Sequence, residues 1–292
     1  MAGAVNQAEF APAKVNLFLH VGPPGANGRH PVSSLATFAD VGDVVHAEPA
    51  ARFSLVVEGP FAGDTGPAED NLITRALHLS GAPPMAVRLT KALPAASGLG
   101  GGSSDAGAAL RLALKLYPEI GRDRIEAAAR AIGADGLLCL RARAALAEGE
   151  GEILTEAAPM PDMWAVLVNP GVPSPTGAVY RAYDAAPVQE GARRPAIPSR
   201  IHSVGEVVQF LQGCRNDLQD PAVGLTPVIG EVLDWLKCRP EPLMSRMSVS
   251  GATCFALCDD ERAARALERA VKADRPRWWA AATCFRGSQT GG

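Results

Sequence analysis

Pro94-Ala-Ala-Ser-Gly-Leu-Gly-Gly-Gly-Ser-Ser-Asp105 sets four glycines, Gly98, Gly100, Gly101 and Gly102, between two segments of opposite character. Upstream, Ala86 to Lys91 reads as a strand. Downstream, Ser104 to Tyr117 is rich in Ala and Leu and stops before Pro118. Its leucines also alternate, so length and alanine content decide for helix. Glycine tolerates positive φ and lets backbone approach a ligand closely. A helix start offers unpaired N–H groups and a partial positive charge, which suit phosphate. Hydroxyls at Ser103 and Ser104 can add hydrogen bonds. On composition alone the stretch reads equally well as a flexible turn joining strand to helix. The absence of Gly-Lys-Ser/Thr excludes a Walker A loop, and Gly98-x-Gly100-x-x-Ser103 lacks the third glycine of a dinucleotide fingerprint.

Around this loop the chain alternates strand-like and helix-like segments. Ala13–Val21, Arg52–Glu58, Trp164–Val168 and Met247–Leu257 read as strands. Asp70–Leu79, with Asp70 as cap and Gly81 as stop, and Asp123–Ile132, ending at Gly133, read as helices. The stretch from 185 to 200 holds three prolines and no apolar period, and reads as a loop. With 292 residues, 47% of them hydrophobic, one or two domains are expected, with a boundary near 155. A formal net charge of -3 opposes a nucleic-acid binder. Met1 to Glu9 carries no Lys or Arg and no apolar run, so no signal peptide is expected there. No apolar run approaches the ~20 residues of a membrane span. The six cysteines are scattered, without Cys-x-x-Cys or zinc spacing, and read as free thiols in a reducing cytoplasm.

Several segments, in order, resemble the GHMP kinases. The glycine loop resembles their second motif, Pro-x-x-x-Gly-Leu-Gly-Ser-Ser-Ala. Its Gly-Leu-Gly-Gly-Gly-Ser-Ser form is similar to the branch that phosphorylates diphosphocytidyl-methylerythritol. Ala11-Pro-Ala-Lys-Val-Asn-Leu-Phe-Leu-His20 resembles the first motif. Gly28-Arg-His30, running on to Asp43, resembles a stretch opening Gly-Tyr-His, with Arg29 in place of the tyrosine. Gly133-Ala-Asp135 resembles Gly-Ala-Asp-Val-Pro, with Gly136-Leu137 in place of Val-Pro. Arg141 to Glu152, Val168 to Thr176 with Tyr180, and Arg215-Asn-Asp-Leu218 resemble further family segments. Ser248-Val-Ser-Gly-Ala-Thr-Cys-Phe255 is similar to the third motif, Ser-Gly-Ser-Gly-Ala, with Val249 in place of a glycine that takes positive φ.

The resemblance implies an α+β fold of two domains. Residues 1–155 would form the N-terminal domain with a left-handed βαβ unit, and residues 156–287 a ferredoxin-like C-terminal domain. Residues 288–292 would be a disordered tail. ATP and substrate would meet in the cleft between the domains. Pro94, Gly98, Leu99, Gly100, Gly101, Gly102, Ser103 and Ser104 would hold ATP. Magnesium would arrive with the ATP, with Ser104 as its nearest side chain. Asp135 would take the proton of the attacking hydroxyl and Lys14 would stand beside it. Asn16, Arg29, His30, Asp135, Thr176 and Tyr180 would bind the substrate, a cytidine diphosphate-linked methylerythritol. His30 would read the cytosine edge, with Arg29 and Tyr180 stacking on the base. The protein is expected in the cytoplasm as a monomer or homodimer, with no nucleic-acid or membrane partner. Two alternatives stay open: a kinase of the same family for another alcohol or sugar, favoured by Arg29, and a catalytically impaired ligand-binding relative.

Overall fold

The computed structural model describes residues 7–185 and 191–287. The expected disordered tail, and residues 186–190 of the proline-containing stretch, lie outside them. The chain divides into two compact units that are interleaved in sequence.

The first unit comprises residues up to Lys14, then 42–95 and 100–142. Two long strands, β1 (Gln7–Val21) and β2 (Val32–Pro49), each contribute one half to it. β3 (Ser54–Glu58), α1 (Leu72–Ser80) and β4 (Met85–Thr90) follow. β3 and β4 are parallel, with Leu55 opposite Val87, so β3-α1-β4 is a βαβ unit. β2 joins β4 antiparallel, with Val45 opposite Leu89. The alternation in β4 explains its placement: Met85, Val87 and Leu89 are buried and Arg88 is exposed. Asn71, rather than Asp70, caps α1, accepting from the Ile73 amide; Asp70 lies in the short turn before it. Gly81 ends the helix at φ 64, as expected.

After the glycine loop come α2 (Gly101–Leu116), α3 (Arg122–Ile132) and α4 (Gly136–Arg141). α2 begins three residues ahead of the expected Ser104, because Gly100 at φ 62 already turns the chain into the helix. α4 was not expected from the sequence.

The second unit comprises residues 15–41, 96–99 and the chain from 143 onward. β5 (Ala145–Gly149) pairs with the first half of β2 and with β6 (Ile153–Glu156). β7 (Met163–Asn169) leads through α5 (Thr176–Ala185), α6 (Val204–Gln212), α7 (Gln219–Leu225) and α8 (Val228–Lys237) to the hairpin β8 (Pro242–Met247) and β9 (Cys254–Cys258). α9 (Glu261–Asp274) and β10 (Trp279–Phe285) close the chain. The strand order β10-β7-β9-β8, antiparallel throughout, gives the ferredoxin-like β-α-β-β-α-β pattern. α9 buries Ala264, Leu267 and Val271 on one stripe, and Asp260 caps it through the Ala263 amide.

The single strand expected over Met247–Leu257 is instead the end of β8, a turn over 248–253, and β9. Residues 191–200 carry neither helix nor strand, in line with a loop. Among the described residues no helix is long and apolar enough to cross a membrane.

Candidate active site

In the first unit, β1 delivers Lys14 and the turn before α4 delivers Asp135. Lys14 Nζ stands 2.9 Å from Asp135 Oδ2. The lysine side chain is 1% exposed and the carboxylate 39%, so an acceptor can reach the second group but not the first. A buried ammonium is tolerable only when paired, and this pairing fixes both side chains. The loop lies against them: a Cβ on Gly100 would come within 3.0 Å of Lys14 Cε. Gly100, the N-cap of α2, has no side chain to cap the helix, which leaves first-turn amides open to an anion. Gly102 is exposed beside them, while Gly101 and Ser103 are half-buried. These features fit the phosphates of a nucleotide.

Ser104 does something other than expected. It is fully buried, and its hydroxyl donates to the Pro12 carbonyl at 2.7 Å, tying α2 to β1. It is therefore not placed to reach a phosphate or a metal. Pro94 and Leu99 are also buried and shape the loop from within. A charged cluster that no motif announces lies below the first turn of α2. There Lys91 Nζ lies 2.5 Å from Asp43 Oδ2 and 2.8 Å from Asp105 Oδ2, all three side chains being at most 4% exposed.

Gly136 explains its own departure from the family pattern. A Cβ there would lie 1.8 Å from the Ala129 carbonyl oxygen, so α4 packs against α3 at a distance only glycine allows. Restoring the family residue, Gly136→Val, should therefore cost about 3 kcal/mol or more through overpacking against backbone. A urea titration checks this; an unchanged midpoint would mean that α3 and α4 separate freely.

The second unit holds the remaining residues. Gly98, at φ 77, sits so close to the β8–β9 turn that a Cβ would meet Ser248 O at 2.6 Å and Gly251 O at 2.7 Å. Ser248 Oγ donates to Gly98 O at 2.9 Å and accepts from the Asn16 amide at 3.2 Å, joining three of the motifs. Val249 keeps the positive φ, 53, of the glycine it replaces. A valine there costs about 1–3 kcal/mol. Asn216 Nδ2 holds the strained turn by donating to Met247 O and Val249 O at 2.7 and 2.8 Å. That gives the Arg215-Asn-Asp-Leu218 segment a structural purpose. The Asn16 side chain donates to Ser34 Oγ at 2.5 Å. Thr176, exposed at the start of α5, is 2.9 Å from Ser250 Oγ.

His30 and Tyr180 come together as expected, ring centroids 4.9 Å apart. His30 Nδ1 faces the Gly22 carbonyl at 2.8 Å, so it carries the proton and donates. Its Nε2 is 3.5 Å from Asp184 Oδ1, and Tyr183 packs edge-on against the ring. Arg29 departs from this group. Its guanidinium is 74% exposed and pairs with Glu150 at 2.8 Å, where Asn27 also donates. The Glu150 carboxylate is held below its usual range by Arg29 and Asn27.

Known proteins resemble the chain over most of its length. Residues 71–140 match the GHMP kinases N terminal domain and residues 199–276 the GHMP kinases C terminal family. A 4-diphosphocytidyl-2-C-methyl-D-erythritol kinase of Caulobacter vibrioides (strain NA1000 / CB15N) is 53% identical over 278 residues, 92% of this chain and 96% of that protein. The enzyme of the same name from Hyphomonas neptunium (strain ATCC 15444) is 45% identical over 285 residues, 94% and 95% of the two chains. A crystal structure of 4-(cytidine 5'-diphospho)-2C-methyl-D-erythritol kinase superposes with a TM-score of 0.75 at 31% identity, covering 97% of this chain and 100% of that one.

Proposed function

Because the chain belongs to the 4-diphosphocytidyl-2-C-methyl-D-erythritol kinase family of the GHMP kinases, we infer that it transfers the γ-phosphoryl group of ATP to the 2-hydroxyl of 4-diphosphocytidyl-2-C-methyl-D-erythritol. The products are ADP and the 2-phosphate, a step of the non-mevalonate route to isoprenoid precursors. The observation that carries the chemistry is the Lys14–Asp135 pair, 2.9 Å apart and backed by Gly100 of the glycine loop.

Phosphoryl transfer asks for positioning and charge stabilisation more than for covalent help from the protein. Asp135, the exposed member of the pair, accepts the proton as the substrate oxygen bonds to the γ-phosphorus and the bond to the ADP oxygen breaks. Lys14 anchors that carboxylate and adds positive charge beside it. First-turn amides of α2 and the backbone of the glycine loop take the phosphates. Magnesium arriving with the ATP would neutralise phosphate charge there, while the Ser104 hydroxyl is engaged by the Pro12 carbonyl. In the second unit, His30 and Tyr180 are proposed to take the cytosine, with Asn16 and Thr176 on the substrate. Arg29 pairs instead with Glu150 in an exposed contact, of the kind that is readily exchanged. All six cysteines are free thiols, which suits a reducing cytoplasm.

ADP release measured with the diphosphocytidyl substrate, against a panel of sugars and small alcohols, tests the assignment. Turnover confined to the cytidine compound, and competition by CMP and CDP, are expected. Equal turnover of a simple alcohol, insensitive to CMP, would favour the second reading suggested by Arg29, a family kinase with another acceptor.

A further inference from the structure

Below the phosphate loop, one ammonium serves two carboxylates, all three side chains being at most 4% exposed. Asp43 is well provided for: its Oδ1 accepts from the Ala92 and Leu93 amides at 2.6 and 2.9 Å, and its Oδ2 from Lys91 at 2.5 Å. Among the described residues Asp105 accepts at Oδ2 from Lys91 alone, at 2.8 Å, with the Asp43 carboxyl beside it. Asp105 Oδ1 is buried without a hydrogen-bond partner among the described residues. Were both carboxyls ionised, the cluster would carry an uncompensated charge, with one buried oxygen given no donor by the described residues. A buried unpaired charge costs far more than a buried neutral hydroxyl. Asp43, with three donors, is the one to stay ionised.

The cluster is adjacent to the nucleotide end of the site. Asp105 is the fifth residue of α2. A Cβ on Gly101, the first residue, would lie 3.0 Å from Lys91 Nζ and 3.8 Å from Asp43 Oδ2. Negative charge in this turn opposes the partial positive charge that an anion uses there.

We propose that Asp105 holds a proton at neutral pH and so keeps a carboxylate from under the phosphate loop, and that losing this proton weakens ATP binding. Asp105 is a positioning residue in this scheme, acting through the helix start, and the inference rests on the phosphate-loop reading. Burial, countered by Lys91 and reinforced by Asp43, pushes the Asp105 carboxyl up to about 8. Burial pushes Lys91 down, but Asp105 and Asp43 leave it above its ordinary value, so it stays charged through this range. Besides these two, Cys139 of α4 faces the cluster. Its thiol, pushed up by burial, feels Asp105 together with Asp135, Lys14 and Arg111.

The sign follows from linkage. From about pH 4, where an unfolded aspartate ionises, up to about 8, the folded chain keeps a proton that the unfolded chain has lost. Stability from this group therefore falls as pH rises through that window.

The test is KM for ATP and kcat of the full-length enzyme from pH 6.5 to 9.5, with carboxyl ¹³C NMR of wild type and Asp105→Asn. The resonance missing from the variant should be that of a protonated carboxyl at pH 6.5 and titrate near 8. KM for ATP should rise about tenfold toward pH 9.5 with kcat little changed, an effect of one charge at this range. Asp105→Asn, which cannot ionise, should lack the rise. A carboxyl ionised at pH 6.5, a flat wild-type KM, or the same rise in the variant would each overturn the proposal. The flat-KM criterion needs no variant at all.

Failure of the phosphate-loop reading itself would look different. Gly102 is exposed, and a Cβ there meets only Leu72 Cδ1 at 3.4 Å. Gly102→Asp should fold, because an acid in the first turn suits a helix, yet raise KM for ATP about 100-fold. If KM does not move, phosphate binds elsewhere, whatever the protonation of Asp105.

Discussion

Asp135→Asn should lower kcat by about 10²-fold or more at saturating ATP and acceptor, while KM for ATP changes little. Asparagine keeps the size of the side chain and can still accept a hydrogen bond from Lys14 through its carbonyl. It cannot take a proton. The loss therefore isolates base function from packing. The geometry makes the result informative: the carboxylate is the accessible member of the pair, and the lysine is sealed behind it. Removing the charge leaves a buried ammonium without its counter-ion, so some stability should be lost as well. Unfolding midpoints must accompany the kinetics, and rates must be read well below the variant's melting range. Asp135→Glu, which keeps the base but moves it, should recover part of the rate. A near-normal kcat for Asp135→Asn would remove this residue from proton transfer.

Lys91→Met should cost about 3–5 kcal/mol of folding stability, the larger structural effect expected in the molecule. Methionine fills much the same volume, so the cost comes from charge. Asp43 and Asp105 would share a closed space with no cation, at 0% and 3% exposure. The deficit should depend on pH in a definite direction. Without the ammonium the Asp105 carboxyl becomes still harder to ionise in the folded chain, so its folded value rises further above the unfolded one. Such a group costs least below pH 4 and most at high pH. Denaturant midpoints at pH 5 and pH 8 would therefore differ more for Lys91→Met than for wild type. A variant as stable as wild type at pH 8 would show that water reaches the cluster.

Much of the site could be read in the chain because short motifs encode local backbone. Gly98 and Gly100 must be glycine where φ is positive and neighbours crowd, and the loop ran into a helix as expected. Lys14 and Asp135 were paired by resemblance to the family, not by spacing, since 121 residues separate them. The Asp43–Lys91–Asp105 cluster is illegible for the same reason: β2, the residue after β4 and α2 supply its members, and nothing local marks a charge as buried. Over 247–257 the apolar content suggested one strand, but Ser248-Val-Ser-Gly forms a turn that Asn216 holds from another element. Arg29 was expected to replace a stacking tyrosine, and its attraction to Glu150 depends on β2 and β5 lying side by side. α4 escaped notice because six residues are too few to establish a period.

The interleaving of the two units has a consequence during synthesis on the ribosome. The second half of β1 and the first half of β2 emerge early, yet they belong to a unit whose other strands are made much later. Ala39 on β2 finds its partner, Phe285, only after β7, β8 and β9 have been made. Until then this part of β2 has β1 and β5 beside it but lacks its last strand. Such long-range pairing slows folding and invites assistance from holding chaperones.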